Sequence, residues 1–199
     1  MDSVAELRIQ ELQTRISRFD DQQAYKELYI SFYPSLFHFI RDMIKSRQIA
    51  EEIISDLFMK IWENRKTLEN ILNLRVYCFV AAKNLSLNQL EKQKREITYD
   101  IDEFAFRITS VMNPDPEQLM ISEEMLKRIH QVVETLPSRC RMAFKLVKEN
   151  GFRYKEAAEI LNVSVKTIEN QLAIALKKIN NSIHFDIHRS VPLGVGNQC

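Results

Sequence analysis

Apolar residues recur three or four positions apart through most of this 199-residue chain, which is the spacing of helices with one buried face. The pattern is clearest in three runs between residues 21 and 95, which predict three amphipathic helices: Tyr25 to Ile40, Ile49 to Trp62 and Leu74 to Leu90. Three such helices can bury a common core and fold as one domain. A shorter run over residues 1–20 predicts a helical extension whose role the pattern leaves open.

A second periodic region, residues 122–183, contains the signals of a helix-turn-helix. Gly151 is suited to end one helix in the left-handed conformation. Asn162 tolerates positive φ and is suited to turn the chain between the next two helices. Ser164 is a good N-cap for the last helix, whose inward face is predicted to comprise Ile168, Leu172, Ala175, Leu176 and Ile179. Such a unit usually lays its second helix in the major groove of DNA.

The polar residues near the start of that last helix have the chemistry of base recognition. Asn and Gln side chains pair with adenine, and Glu accepts from cytosine. The candidate groove contacts are Lys166, Thr167, Glu169, Asn170 and Gln171. Eight cations are candidates for phosphates: Arg139, Arg141, Lys145, Lys148, Arg153, Lys155, Lys177 and Lys178. The alternative is a plain three-helix module with a solvated charged face.

The segment from Arg75 to Arg95 is a second candidate site for nucleic acid. It carries five cations against the single acid Glu91, and it also contains Tyr77 and Phe79. Aromatic rings stack on unpaired bases while cations hold phosphates, so this combination suits single-stranded or flipped bases. Aromatic residues at helical spacing more often belong to a core. At least one of the two rings is therefore expected to be buried.

Composition favours an all-α fold, since the chain has three Gly and five Pro. Residues 96–121 break the periodicity and belong to an acidic stretch, so they are predicted to be a linker. Residues 184–199 are predicted to be a disordered tail. The predicted architecture is two small helical domains joined by a linker, the second containing the helix-turn-helix.

Several classes of protein are disfavoured. No apolar run approaches the roughly 20 residues that span a bilayer, and the N-terminus lacks a signal-peptide pattern. Three distant cysteines do not form a disulfide framework, so a cytoplasmic protein with free thiols is expected. The four histidines are scattered and no Gly-rich phosphate loop is present. We therefore expect no enzymatic activity, metal, cofactor or small-molecule substrate.

Three segments in order carry a family resemblance: AEEIISDLFMKIWENR, then NLRVYCFVAAKNLSLNQLEKQKR, then LPSRCRMAF…GFRYKEAAEILNVSVKTIENQL. With the acidic stretch before the third, the chain resembles a sigma-70 family factor of the extracytoplasmic-function (ECF) group. It looks most like the short two-domain form common in the Bacteroidetes, over about residues 22–182. The resemblance implies a factor that makes bacterial RNA polymerase promoter-specific and helps to open the duplex.

The resemblance also implies roles for individual residues. Residues 21–95 would be sigma region 2, docking on the β′ clamp helices of core RNA polymerase through Glu52, Asp56, Lys60 and Trp62. The loop Asn64–Asn73 and the following helix would read a flipped base of the −10 element, with Tyr77, Lys83, Asn84, Asn88, Lys92, Lys94 and Arg95 as candidate contacts. Lys83 and Asn88 replace the Arg and Asp usual in relatives.

Residues 122–183 would be sigma region 4, reading the −35 element of promoter DNA. Its candidate contacts are the five groove residues given above together with Arg153 and Lys177. The β flap of polymerase would pack on the same domain, and the acidic linker would thread towards the active-site cleft. A membrane-associated anti-sigma factor would hold such a protein inactive.

The main rival is a one-component helix-turn-helix regulator that binds duplex DNA as a dimer. It requires an N-terminal sensor or receiver domain. Residues 21–95 show neither a phospho-acceptor nor a ligand-binding α/β pattern, which disfavours this alternative.

Overall fold

A computed structural model describes the backbone of residues 2–97 and 129–189, and the side chains of residues 6–93 and 129–182. The chain divides into two compact units. The first comprises Met1–Asp102 and Lys155–Val163, and the second comprises Glu103–Tyr154 and Ser164–Cys199. Over the described backbone every regular element is a helix, which confirms the all-α class. Apart from its first two residues, the predicted acidic linker lies outside the described residues. The limits inferred for the two domains stay a prediction.

Residues 2–97 form four α-helices rather than the three expected to share a core. They are α1 (Asp2–Phe19), α2 (Gln22–Ile44), α3 (Arg47–Glu63) and α4 (Leu74–Ile97), with a 3-10 helix (Arg65–Asn70) between α3 and α4. The additional member is α1, which packs on α2 and on the 3-10 helix and buries Leu12 and Ile16. The segment predicted to be an N-terminal extension is therefore part of the core.

Local hydrogen bonds fix where these helices begin and end. The Asp21 carboxylate accepts from the backbone N–H groups of Gln23 (2.9 Å) and Ala24 (3.0 Å) at the start of α2, which satisfies donors that a helix start leaves unpaired. The helix ends at Lys45, which takes the left-handed conformation (φ 62°) and donates its N–H to Arg41 O (2.8 Å). One residue later Ser46 caps α3, so α2 and α3 are joined by a two-residue connection.

Aromatic and branched side chains fill the core of this unit. Phe58 of α3 and Phe79 of α4 are almost completely buried. The ring of Phe39 in α2 lies 5.0 Å from that of Phe79, and burial of each such side chain contributes about 1.5–3 kcal/mol. Tyr77, by contrast, is 44% exposed. The expectation that at least one of these two α4 rings is buried is thus confirmed.

The C-terminal elements follow the predicted order. They are α5 (residues 129–134), α6 (Ser138–Phe144), α7 (Tyr154–Leu161) and α8 (Val165–Arg189). A π-helical turn, Lys145–Glu149, follows α6 directly, and α6 packs on α8. Gly151 has φ 71° and Asn162 has φ 55°, as their residue types predict. Ser164 Oγ accepts from the backbone N–H of Thr167 (3.1 Å), which confirms the cap of α8.

Two expectations about α8 are wrong. Leu176, predicted to face inward, is 43% exposed, whereas Ile168, Leu172, Ala175 and Ile179 are buried. The four buried residues follow the 3.6-residue period, and Leu176 lies at the edge of their face. The helix also continues to Arg189, through the first six residues of the predicted disordered tail; residues 190–199 lie outside the described part of the chain.

Gly151→Ala should destabilise the C-terminal elements by about 1–2 kcal/mol, the cost of a β-carbon in the left-handed conformation. Space does not contribute, because a Cβ at this position meets nothing within 4 Å. Amide hydrogen exchange of the full chain measures the effect at Phe152, whose N–H donates to Leu146 O (3.0 Å). The control is Lys148→Ala, a change at an exposed residue. Equal exchange rates of the Phe152 N–H in the two variants would show that Gly151→Ala introduces no backbone strain.

Candidate nucleic-acid and polymerase interfaces

The exposed face of α8 carries one stripe of DNA-compatible side chains directly opposite its buried residues. Lys166, Asn170, Ala173 and Lys177 are all exposed, and their i, i+4, i+7, i+11 spacing puts them in line along the helix. Lys166 Nζ also lies 3.1 Å from Glu169 Oε2, an exposed pair. The α8 stripe therefore presents an amide between two cations, with a small residue that lets another surface approach.

Gln171 and Thr167 differ from the other predicted groove contacts. Both are half-buried at the border of the core face. The Oε1 atom of Gln171 is buried and has no hydrogen-bond partner among the described residues. Gln171, expected among the outward residues of α8, is drawn towards the core because it neighbours the buried residues Ile168 and Ala175 on the helix surface.

Three of the eight predicted phosphate cations are engaged within the protein. Lys145 Nζ lies 2.8 Å from Glu134 Oε1. Arg141 donates to the backbone oxygen of the same glutamate (2.7 Å), and Lys178 Nζ donates to Thr135 O (2.8 Å). These contacts satisfy the carbonyl end of α5. These three cations are structural in this arrangement. Arg153 and Lys177 are exposed, and Arg153 also has an interaction within the protein.

A second stripe runs along the exposed face of α4. Tyr77, Asn84 and Asn88 are exposed, and their i, i+7, i+11 spacing aligns an aromatic ring with two amides. Helical geometry puts Lys83 at one border of this stripe and exposed Lys92 at the other. The predicted contacts Lys94 and Arg95 belong to the last turn of α4, but their side chains lie outside those described. The α4 stripe thus combines a stacking group, hydrogen-bonding groups and flanking cations.

Lys83 has an altered electrostatic environment. It is half-buried, and burial lowers the pKa of its amine because the protein replaces water around the charge. An anion next to the ammonium group would recover part of that cost. A phosphate of bound nucleic acid is such an anion.

The segment between α3 and α4, Asn64–Asn73, is called here the 64–73 loop. Its Leu68 is 2% exposed and anchors it, whereas Leu72 is 97% exposed. Asn73 caps α4, since its Oδ1 accepts from the Val76 N–H (3.0 Å). The sequence analysis did not single out Leu72, although its place outside any helical period was an available signal. An exposed leucine beside a candidate base-binding surface has the shape of an apolar wedge for separating bases.

The candidate polymerase contacts lie on α3. Glu52, Asp56 and Lys60 are exposed and follow one another at four-residue intervals, so they form one charged stripe. Trp62 is half-buried beside them; its ring lies 4.9 Å from the Tyr25 ring and 4.5 Å from the Arg65 guanidinium carbon. An open cavity of about 460 Å³ is lined by Gln22, Tyr25, Met59, Trp62 and Glu63. An aromatic cavity beside a charged stripe suits a protein partner.

Other chemistry finds little support in the described residues. Cys78 and Cys140 are free and buried, and burial raises the pKa of the Cys78 thiol, which disfavours the reactive thiolate. Across residues 6–93 and 129–182 no three His, Cys, Asp or Glu side chains are grouped to hold a metal ion. None of the helices in those ranges is long and apolar enough to cross a membrane.

Comparisons with known proteins match both parts of the chain. The family model "Sigma-70 region 2" matches residues 28–96, and "Sigma-70, region 4" matches residues 126–179. The ECF RNA polymerase sigma-E factor of Escherichia coli (strain K12) is 24% identical, over 85% of this chain and 91% of its own length. The ECF RNA polymerase sigma factor SigM of Bacillus subtilis (strain 168) is 22% identical, over 77% of this chain and 91% of its own.

Solved structures of sigma factors share the fold. The sigma factor RpoE of Bartonella quintana, in complex with the anti-sigma factor NepR, superimposes with a TM-score of 0.63 at 22% identity, covering 81% of this chain and 98% of that one. CnrH, in complex with the cytosolic domain of CnrY, gives a TM-score of 0.56 at 18% identity, covering 90% and 99%. At these identities the likeness establishes the fold alone.

An all-helical chain with a helix-turn-helix and a second helix bearing aromatic, amide and cationic side chains defines a DNA-binding protein. The two family models together span more than half of the residues and stand in the order of sigma regions 2 and 4. This chain belongs to the sigma-70 family, in the ECF group of RNA polymerase sigma factors. It acts in transcription initiation, binding core RNA polymerase and recognising promoter DNA.

Lys83→Met should weaken promoter binding by the polymerase complex while leaving the free protein equally or more stable. The change removes a partly desolvated charge and keeps an apolar stem. Loss of one phosphate contact reduces the salt slope of binding by about one. Lys92→Met, at the other border of the α4 stripe, should reduce the slope without stabilising the protein. Thermal unfolding and salt titration measure the two effects; an unchanged slope for Lys83→Met would remove Lys83 from the DNA contacts.

Proposed function

We propose that the α4 and α8 stripes read two different forms of promoter DNA. The observation that carries this proposal is their chemistry: the α4 stripe begins with an exposed aromatic ring and has cations further along the helix, and the α8 stripe contains an amide and cations but no ring. Rings stack on unpaired bases, whereas amides on a recognition helix read base edges in the major groove. We therefore assign α4 with the 64–73 loop to the opened −10 element and α8 to the duplex −35 element.

At the −10 element the proposed task is to trap bases that have left the helix stack. Unstacking a base costs a few kcal/mol, and stacking on an aromatic side chain returns about 1–3 kcal/mol per base. Tyr77 supplies that ring, Asn84 and Asn88 supply donors and acceptors, and Lys83 and Lys92 hold phosphates. Because these contacts form only after the duplex has opened, they stabilise the melted state. A protein that catalyses no reaction can assist melting in this way.

At the −35 element the proposed contacts are made in intact duplex. Asn170 lies mid-stripe, where it can pair bidentately with an adenine, and Lys166 and Lys177 flank it on the same line of α8. Glu169 neutralises part of the Lys166 charge in the free protein, and this exposed pair is cheap to separate. Arg153 is the remaining phosphate contact of the set.

The charged stripe of α3 is the proposed docking surface for the β′ clamp helices of core polymerase. Glu52, Asp56 and Lys60 face solvent in a row, which suits alignment along a partner helix, and the aromatic cavity at Trp62 offers an apolar anchor. The β flap is proposed to pack on the C-terminal elements. The protein is proposed to work in the cytoplasm, where the polymerase acts, and to catalyse no reaction itself.

An anti-sigma factor is the proposed regulator. RpoE of B. quintana and CnrH have each been solved with such a partner or its cytosolic domain. This fold therefore offers surfaces that an inhibitory protein covers in those relatives. Co-purification from the native host under non-inducing conditions tests the proposal, and absence of any stoichiometric partner would count against it.

The assignment of the two stripes can be tested by transcription from a genomic fragment library of the host, using this protein with core RNA polymerase. We expect initiation that depends on both proteins and starts at defined sites sharing two sequence elements. Asn170→Ala should change base preference only in the −35 element, and Asn84→Ala only in the −10 element. Sequence-specific duplex binding without polymerase, together with absence of initiation, would instead favour a one-component regulator.

A further inference from the structure

Two polar side chains of α1 are buried against the 64–73 loop. Gln13 is 4% exposed and Ser17 is 3% exposed. The Gln13 Nε2 group donates to the backbone oxygens of both Leu68 and Ile71, each at 3.0 Å. Ser17 Oγ donates to the backbone oxygen of Lys66, also at 3.0 Å. Two side chains from a remote part of the sequence thus bind three carbonyl groups of one loop.

The bonds from α1 add to those that the short loop makes within itself, such as the bond from the Ile71 N–H to Leu68 O (3.1 Å). A helix leaves its last carbonyls unpaired, and the 3-10 helix of the loop ends at Asn70, four residues before α4 begins. Groups of this kind inside a protein are normally satisfied. The carboxamide of Gln13 has two N–H donors on one nitrogen, which matches two carbonyls three residues apart.

Charged side chains at the end of α1 continue the same contact on the surface. Arg18 Nε lies 2.8 Å from Glu69 Oε2. The Asp20 carboxylate pairs with both Arg65 and Lys66. Exposed pairs of this kind contribute little individually. The buried bonds of Gln13 and Ser17 therefore determine the position of the loop, and the ion pairs add to it.

The opposite side of the loop carries exposed side chains: Thr67, Glu69, Asn70, Leu72 and Asn73. Two of them have partners, since Glu69 pairs with Arg18 and Asn73 Nδ2 donates to Glu156 Oε1 (2.8 Å). Because the backbone is held from within, the spacing of these outward side chains is fixed before any ligand arrives. Preorganised groups discriminate between ligands better than groups that must be ordered on binding.

We propose that Gln13 is a positioning residue for −10 recognition: with the help of Ser17, it fixes the backbone of the 64–73 loop so that the loop discriminates among unpaired −10 bases. This inference rests on the proposed function of the loop. It assigns a specificity role to α1, a helix that carries none of the predicted DNA or polymerase contacts. Loss of the contact should reduce base discrimination while leaving core polymerase binding and −35 preference unchanged.

Gln13→Met is the decisive variant, since it keeps the length of the side chain and removes both donors. Leu12 and Ile16 still hold α1 in the core. Gln10→Met is the matched control, an identical change at an exposed position of the same helix. Both proteins are assembled with core polymerase and mixed with fork-junction DNA whose single-stranded −10 bases, or duplex −35 bases, are randomised. Sequencing of the bound DNA gives base preference at each position.

Hydrogen exchange of the full chain supplies a readout that does not depend on the function of the loop. The N–H groups of Thr67 and Ile71 donate to Asn64 O (3.0 Å) and Leu68 O (3.1 Å) within the loop. They should exchange roughly tenfold faster in Gln13→Met, as expected when a buried carbonyl loses its donor. Base discrimination at −10 should fall by about threefold or more, with equal affinity for core polymerase in both variants.

The outcomes separate the two levels of the proposal. Faster loop exchange with unchanged −10 preference would overturn the role of the loop in reading bases, whereas unchanged exchange would overturn the positioning role of Gln13. Equal losses of base preference at −10, of base preference at −35 and of affinity for core polymerase would indicate a general structural defect. That result would also overturn the positioning role of Gln13. If Gln13→Met does not fold, Ser17→Ala removes a single bond to Lys66 O and is judged by the same criteria.

Discussion

The carbonyl groups of the 64–73 loop impose the constraint on which the N-terminal unit depends. The 3-10 helix satisfies part of this need, since Leu68 O accepts from the Ile71 N–H. The side chains of Gln13 and Ser17 in α1 donate to Lys66 O, Leu68 O and Ile71 O as well. These bonds, together with burial of Leu12 and Ile16, explain why α1 lies in the core. They also couple the N-terminus of the chain to the segment that connects α3, with its proposed polymerase stripe, to α4, with its proposed DNA stripe.

Much of the architecture could be predicted from local sequence signals. Gly151, Asn162 and Ser164 each have a residue type that suits one backbone conformation, and the structure has those conformations at all three positions. The apolar periods of α2 and α3 predicted most of their buried faces for the same reason. The period of α4 did not, because Tyr77 and Leu87 are exposed whereas Val76, Phe79 and Ala82 are buried. Local signals succeed where one residue type has a clear preference for one geometry.

The missed features depend on partners distant in sequence. Nothing near Gln13 indicates that its amide binds carbonyls 55 and 58 residues away. The engagement of Lys145 by Glu134, and the burial of the Gln171 oxygen, follow likewise from how helices pack. Leu176 is an apolar residue next to the core face of α8, but the period of its four buried neighbours leaves it at the edge, where it is 43% exposed. Residue types indicated which segments carry DNA-compatible side chains. The packing of the helices determines which of those side chains are exposed for binding.

The two proposed reading surfaces differ in how much support they require. The α8 stripe is built on one regular helix, whose geometry alone fixes the spacing of Lys166, Asn170 and Lys177. The 64–73 loop has no such internal repeat, so the positions of Asn70 and Leu72 depend on what holds its backbone. A site on a loop discriminates among bases only when the energy needed to distort the loop exceeds the energy gained by accepting a wrong base. The buried bonds from α1 supply that stiffness, and for this reason the N-terminal helix belongs to the recognition apparatus rather than to the scaffold.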